Sequence, residues 1–308
     1  MGTDRRTFIK TSAIAAAGTA LLSKPLLAGI PGMTKFMDAG EILSIQLYSI
    51  RDAMMKEPLG SLKEIAKIGY KYVEHANYIN RKFYGYSAVE FRKILDDLGL
   101  HMPSGHTVMA KNHWDESKND FSDSWKLTVE DAATLGQKFV ISPWLDESMR
   151  KTYDDFKKYM EVFNKSGELC KKSGMKFGYH NHDFEFSTKL NDQKLFDLIL
   201  QNTDPNLVAQ QLDIGNMYHA GGRALDILKQ YPNRFELLHV KDEISTGKDK
   251  YESTILGTGI VNTKEICDLS RKLGGTKYFV IEQESYQAKN PMDCVKEDFD
   301  IMNKWGYK

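Results

Sequence analysis

The residues best suited to chemistry in this 308-residue chain are carboxylates and imidazoles that stand just after short apolar runs. Glu74-His75, Ser104-Gly105-His106 and Pro143-Trp144 are the first three such sites. Then come Tyr179-His180-Asn181-His182-Asp183-Phe184-Glu185, Leu212-Asp213-Ile214-Gly215-Asn216, His239-Val240-Lys241-Asp242 and Glu282-Gln283-Glu284. Asp, Glu and His converging on one point make an oxygen and nitrogen ligand set that suits Mn, Mg, Co or Zn. The three cysteines, Cys170, Cys267 and Cys294, have no paired spacing, so neither a thiolate zinc site nor a disulfide framework is expected. Each residue alone has a plainer reading. Asp213 can be a turn former that bonds its own backbone, and His180-Asn181-His182 can be a solvated loop. Glu282, behind Phe279-Val280-Ile281, is harder to set aside, because a carboxylate ending an apolar strand is costly to bury without a partner.

The elements that must position these groups alternate regularly. Apolar runs at residues 43–48, 70–74, 101–104, 139–142, 176–180, 208–212, 236–240 and 278–282 read as strands covered on both faces. Helical patterns lie between them, at 62–68, 88–98, 125–135, 153–172, 193–201, 224–230, 263–273 and 291–305. Ser173-Gly174 and Gly274-Gly275 are helix stops. Eight strand–helix units imply a parallel sheet closed into an α/β, (β/α)8 TIM barrel, one domain over 40–308. An open doubly wound sheet calls for a glycine-rich phosphate loop after its first strand, and Gln46 to Arg51 contains no glycine. In the barrel, the polar groups named above all fall at the C-terminal mouth, where active sites form.

Taken in order, the motifs of strands five to eight, with Gly257-Thr258-Gly259-Ile260, resemble the xylose isomerase-like TIM-barrel superfamily, in its sugar phosphate isomerase/epimerase branch, akin to inosose dehydratase and tagatose 3-epimerase. The resemblance covers residue 40 to the C-terminus. It implies one divalent metal ion held by Glu, Asp, His and Glu from strands five to eight. By position the last three are Asp213, His239 and Glu282. Related epimerases end strand five with Glu-Pro, and this chain departs from that. The expected first ligand is Glu185, folded back to the metal, with His180 the alternative. The resemblance also implies that the first and last glutamates, Glu185 and Glu282, exchange the proton. On chemistry alone His180 or His182 serves equally as base, since histidine titrates near neutrality. Glu74, His106, Trp144, Lys241 and Asn216 are the expected substrate-binding residues.

The expected activity is a metal-dependent sugar isomerase/epimerase that abstracts a proton next to a carbonyl on a non-phosphorylated sugar or polyol. A 3-keto-glycoside lyase or hydrolase, or an inosose-type dehydratase, uses the same step. A non-catalytic sugar-binding protein is the alternative from another class, and it requires a broken metal set. The balance of 42 basic and 42 acidic residues argues against nucleic acid as partner, and with it against an endonuclease IV-like enzyme on the same barrel. Arg5-Arg6-Thr7-Phe8 followed by a short apolar stretch and Leu27-Ala28 resembles a twin-arginine signal over residues 1–30, which implies export to the periplasm. The apolar stretch is too short for stable membrane insertion. The expected partner is a small sugar or glycoside, and a homo-oligomer is compatible with the chain.

Overall fold

The expected apolar runs form strands because Val, Ile, Phe and Tyr fill a pleated surface that helices then cover. The computed structural model describes residues 40–248 and 250–308. The barrel strands are β1 (Ile42–Gln46), β2 (Tyr72–His75), β3 (His101–His106), β4 (Phe139–Ser142), β5 (Lys176–His180), β6 (Val208–Asp213), β7 (Leu237–Val240) and β8 (Tyr278–Ile281). All neighbours are parallel, and β1 pairs with both β2 and β8, which closes the ring. The helices that follow the strands are α1 (Pro58–Ile68), α2 (Ala88–Asp97), α3 (Asp123–Leu135), α4 (Tyr153–Lys171), α5 (Leu195–Asn202), α6 (Ala224–Gln230), α7 (Thr263–Leu269) and α8 (Pro291–Lys304). The expected single TIM barrel over 40–308 is what forms; the expected signal segment at 1–30 lies outside the described residues.

Local chemistry explains the ends. The first strand stops at Gln46 rather than Tyr48 because the Gln46 side-chain oxygen accepts from the Tyr48 amide and turns the chain into a short 3-10 helix. α2 starts on a capping box between Ser87 and Glu90. α7 ends at Leu269, and a wider π turn carries the chain to Gly274, where a single helix was expected. Inside the barrel Gly178 leaves room for Ile141, whose Cδ1 would lie 2.3 Å from any added Cβ. The structure adds four hairpins absent from the expected scheme. Two of them, Tyr78–Ile79 with Lys82–Phe83 and Trp114–Asp115 with Asp120–Phe121, rise from the loops after β2 and β3. No helix among the described residues is long and apolar enough to cross a membrane.

Candidate metal and sugar site

Parallel register sets the site. Asp213 at the end of β6 stands level with His239 on β7, and β7 pairs with β8 just below Glu282. The Glu282 Oε2 atom lies 3.0 Å from His239 Nδ1, and Asp213 Oδ2 lies 3.7 Å from the same nitrogen. Asp213 has both roles the sequence allowed. Its Oδ1 accepts from the Asn216 amide at 2.7 Å and caps the short helix Ile214–His219. Its Oδ2 is buried and receives no hydrogen bond. A buried carboxylate oxygen that accepts no hydrogen bond, lies beside an imidazole and a second carboxylate, and already faces one cation, the Lys241 ammonium at 3.1 Å, fits a divalent ion.

The strand-five member of this group is His180. Its Nε2 lies 3.8 Å from Asp213 Oδ2, and its ring stands 4.6 Å from that of His239. Glu185, expected to fold back onto the ion, belongs to neither cluster of candidate ligands among the described residues: Asp213–His239–Glu282 and His106–His180–His239. Strand alternation is the reason. His180 points into the barrel, while Tyr179 points out into the helical layer, and Glu185 accepts a hydrogen bond from the Tyr179 hydroxyl and another from the His182 amide, at 2.9 Å. Burial pushes its pKa up to about 7 against those hydrogen bonds.

Glu74 is not where a substrate could reach it. It is fully buried beneath the site. Its carboxylate accepts from Gln46 Nε2 at 2.8 Å, Gln211 Nε2 at 2.8 Å, the Ser104 hydroxyl and His239 Nε2 at 2.7 Å. Burial acts to raise its pKa, but His106 and His239 outweigh that and hold it well below the usual carboxylate range. An ionised carboxylate only accepts, so the facing nitrogens must donate. His239 therefore gives its Nε2 proton to Glu74, and its Nδ1, which faces the cation site, donates to the ionised Glu282 at 3.0 Å. Gln211 must present its amide nitrogen to Glu74, so its oxygen accepts from His106 Nε2 at 2.7 Å and from His180 Nδ1 at 3.0 Å. That leaves His180 Nε2 bare and aimed toward Asp213. One hidden carboxylate thus sets three imidazoles, His239 directly and His106 and His180 through an amide. Glu74 is legible in the sequence as a strand-end residue but not as a deep one, and nothing there marks Gln211 or Gln46.

Lys241, another expected substrate contact, is also buried, and pairs with Asp213 at 3.1 Å, Glu282 at 2.9 Å and Glu284 at 2.9 Å. Burial acts to lower its pKa, and the three carboxylates raise it well above the ordinary value. Glu282 is held well below its ordinary value by Lys241 and His239 despite burial. The same pair of carboxylates, Glu282 and Glu74, pushes His239 up to about 10 against its burial. Asn181, unmarked in the sequence, clamps Asp213 through both its backbone amide and carbonyl, at 3.0 and 3.1 Å. Asp242 accepts from the amides of Gly257, Gly259 and Val261. The Gly257-Thr258-Gly259 loop therefore binds a side chain of its own protein, and at Gly259 a Cβ would lie 2.3 Å from that carboxylate.

Above the carboxylates a cleft of about 720 Å³ opens at the mouth. His106, His180, His182, Asn216, Glu282 and Glu284 line its floor. Trp144 does not line it; it stands beside it, 41% exposed, with its ring 5.4 Å from His182 and 5.1 Å from Phe184. His182 Nδ1 is buried without a partner, and burial lowers the pKa of the ring.

Residues 62–305 match the family model described as the xylose isomerase-like TIM barrel. The chain belongs to this family. Among xylose isomerase-like relatives, the inosose dehydratase of Clostridium perfringens is 35% identical over 167 residues, 49% of this chain and 55% of that protein. The chain thus spans about half the length of that relative. An inosose dehydratase of Mesomycoplasma hyopneumoniae is 25% identical over 266 residues, 79% of this chain and 86% of that protein. A crystal structure of a sugar phosphate isomerase/epimerase from Parabacteroides distasonis superposes with a TM-score of 0.72 at 26% identity, covering 86% of this chain and 96% of that one. The IOLI protein, solved with a bound zinc atom, has a TM-score of 0.67 at 15% identity over 87% of this chain and 99% of that one, a likeness of fold alone.

Proposed function

We propose that this protein is a divalent-metal-dependent enzyme that removes a proton from the carbon next to a carbonyl of a non-phosphorylated sugar or polyol, as an isomerase or epimerase. The observation that carries the reading is the convergence of Asp213, His239 and Glu282 from three adjacent strand ends, with one Asp213 oxygen that accepts no hydrogen bond and faces the Lys241 ammonium at 3.1 Å. These three, with His180, would hold the ion. A bound divalent ion would polarise the carbonyl and stabilise the negative charge that grows as the proton leaves. His182 is the base: it lines the cleft, and burial keeps its ring neutral and able to take a proton. His180 is already committed to Gln211 on one nitrogen. Glu282, held ionised by Lys241 and His239, stays an acceptor. Asn216 and His106 offer polar groups to sugar hydroxyls.

A second reading, elimination, starts from the same proton abstraction and expels a group from the next carbon. The inosose dehydratases among the relatives favour it. Incubation with candidate keto sugars in deuterated water tests both. Deuterium at the carbon beside the carbonyl supports proton abstraction, and loss of water or an aglycone selects elimination. Full turnover by chelator-treated, metal-free protein would sink the metal-dependent mechanism.

We also propose export through the twin-arginine route, on the strength of Arg5-Arg6-Thr7-Phe8. A reporter fused behind residues 1–30 should lose translocation when both arginines become lysine.

A further inference from the structure

The cation ligands come from β5, β6, β7 and β8, yet most of the cleft lies across the barrel from them. Its far wall is built by the hairpin Tyr78–Ile79 with Lys82–Phe83 after β2, the loop after β3, and α3. This wall is preformed. Asn80 and Arg81 form a tight left-handed turn, with φ of 52° and 62°. Arg81 grips Asp131 of α3 through two nitrogens, at 2.7 and 3.0 Å, and the Tyr78 hydroxyl donates to the same carboxylate at 2.7 Å.

The chemistry of this far compartment differs from that of the floor. Tyr78, Ile79, Val108, Leu127 and Pro143 give it apolar surface. Asn77, Asn80 and Asn112, with Thr107, Ser124 and Thr128, add neutral amides and hydroxyls. Its one lysine or arginine, Arg81, is already neutralised by Asp131. His113 cannot supply a charge either: its Nδ1 accepts from the Ala110 amide, and burial lowers its pKa. A phosphate would find no free cation there. Apolar exposure is also concentrated here. Ile79 is 60% exposed, Val108 44% and Tyr48 41%, and these are three of the seven large apolar side chains exposed among the described residues. Exposed apolar groups gathered around one cleft mark a surface that a ligand covers. At about 720 Å³ the cleft falls in the upper part of the roughly 300–1,000 Å³ range that encloses drug-sized ligands. A single sugar ring at the cation end would leave the far compartment empty.

We infer that the substrate is a glycoside, with its sugar ring over the cation site and a neutral, ring-containing, mainly apolar aglycone against Tyr78, Ile79 and Val108. This rests on the proposed sugar chemistry and names the substrate class for it. Tyr78 offers a rigid aromatic edge, the two aliphatic side chains offer contact area, and nothing in the compartment rewards a charged group.

Calorimetric titration of the full-length, metal-loaded protein tests the inference, with phenyl and methyl β-glucosides and β-galactosides, the disaccharide cellobiose, and glucose 6-phosphate as probes. The phenyl glycoside of at least one sugar should bind about ten-fold or more tightly than its methyl counterpart. The double variant Ile79→Asp, Val108→Asp should erase that difference and leave methyl glycoside affinity unchanged. Both positions are exposed, so the fold should survive. Equal affinity within every phenyl–methyl pair, or tighter binding of cellobiose or of the sugar phosphate, overturns the inference, as does a preference that survives the double variant. Metal content, measured on the same samples, keeps the two readings apart. Stoichiometric metal without aryl preference sinks only the aglycone assignment, and aryl preference in a protein that takes up no metal sinks only the metal-dependent reaction.

Discussion

Two fully buried glutamates, Glu74 inside the barrel and Glu185 in the helical layer outside β5, have opposite electrostatic fates. Glu74 meets two imidazoles and three neutral donors and stays ionised well below the usual range. Glu185 meets a tyrosine hydroxyl and an amide beside Tyr179, within a layer that also holds Phe163 and Phe177, and burial carries its pKa up to about 7. Depth is equal, so the partners decide the charge. Around the candidate cation site the barrel interior keeps Glu74 ionised, and in the outer layer burial suppresses the charge of Glu185.

The largest way to break this comparison is to remove a ligand. Asp213→Ala or His239→Ala should leave the fold intact, strip the metal and lower activity by roughly 10³-fold or more; metal retention with normal turnover in either variant removes the site. Lys241→Met should cost the metal-free protein about 3–5 kcal/mol, because Asp213 and Glu282 lose their shared counter-charge. Thermal unfolding reads this, and added divalent ion should restore more stability to the variant than to the parent. Glu74→Gln should weaken metal affinity by about 10–100-fold, since an amide can no longer accept from every surrounding donor. Nitrogen-15 spectra of the histidine rings provide the sharper readout: in the metal-free parent, His180 should carry its proton on Nδ1, and that preference should be lost in the variant.

The smallest effect at the site is expected from Glu185→Gln, which should retain metal. If it loses metal, the inside–outside division fails and Glu185 is the strand-five ligand after all. Its signature is in stability instead. With the folded pKa raised from 4.5 to about 7, the protonated form favours folding. The contribution is therefore complete below pH 4.5 and is lost as pH rises through 7, a change of roughly 3 kcal/mol. Thermal melts of parent and variant from pH 4 to 8 should diverge in that window, with the variant's stability falling less. Parallel curves would show that Glu185 does not titrate there.

The strand–helix rhythm and the apolar character of each strand were written in the composition of short segments, because burial on two faces leaves a local mark. That is why residues 139–142 and 176–180 were readable as strands to the residue, and why Asp213, His239 and Glu282 could be placed at one mouth. What no local pattern contains is which way a side chain points once the strand has ended. The alternation of β5 sent His180 inward and left Glu185 on the Tyr179 side, against the expectation from related epimerases. Nor could sequence separate a carboxylate at the rim from one beneath it. Glu74, Gln211 and Gln46 meet only when strands 28 to 165 residues apart from their partners close into a ring. The ligand types belonged to the sequence; their protons and directions were fixed by closure, since a hydrogen bond across a barrel depends on neighbours that share no stretch of chain.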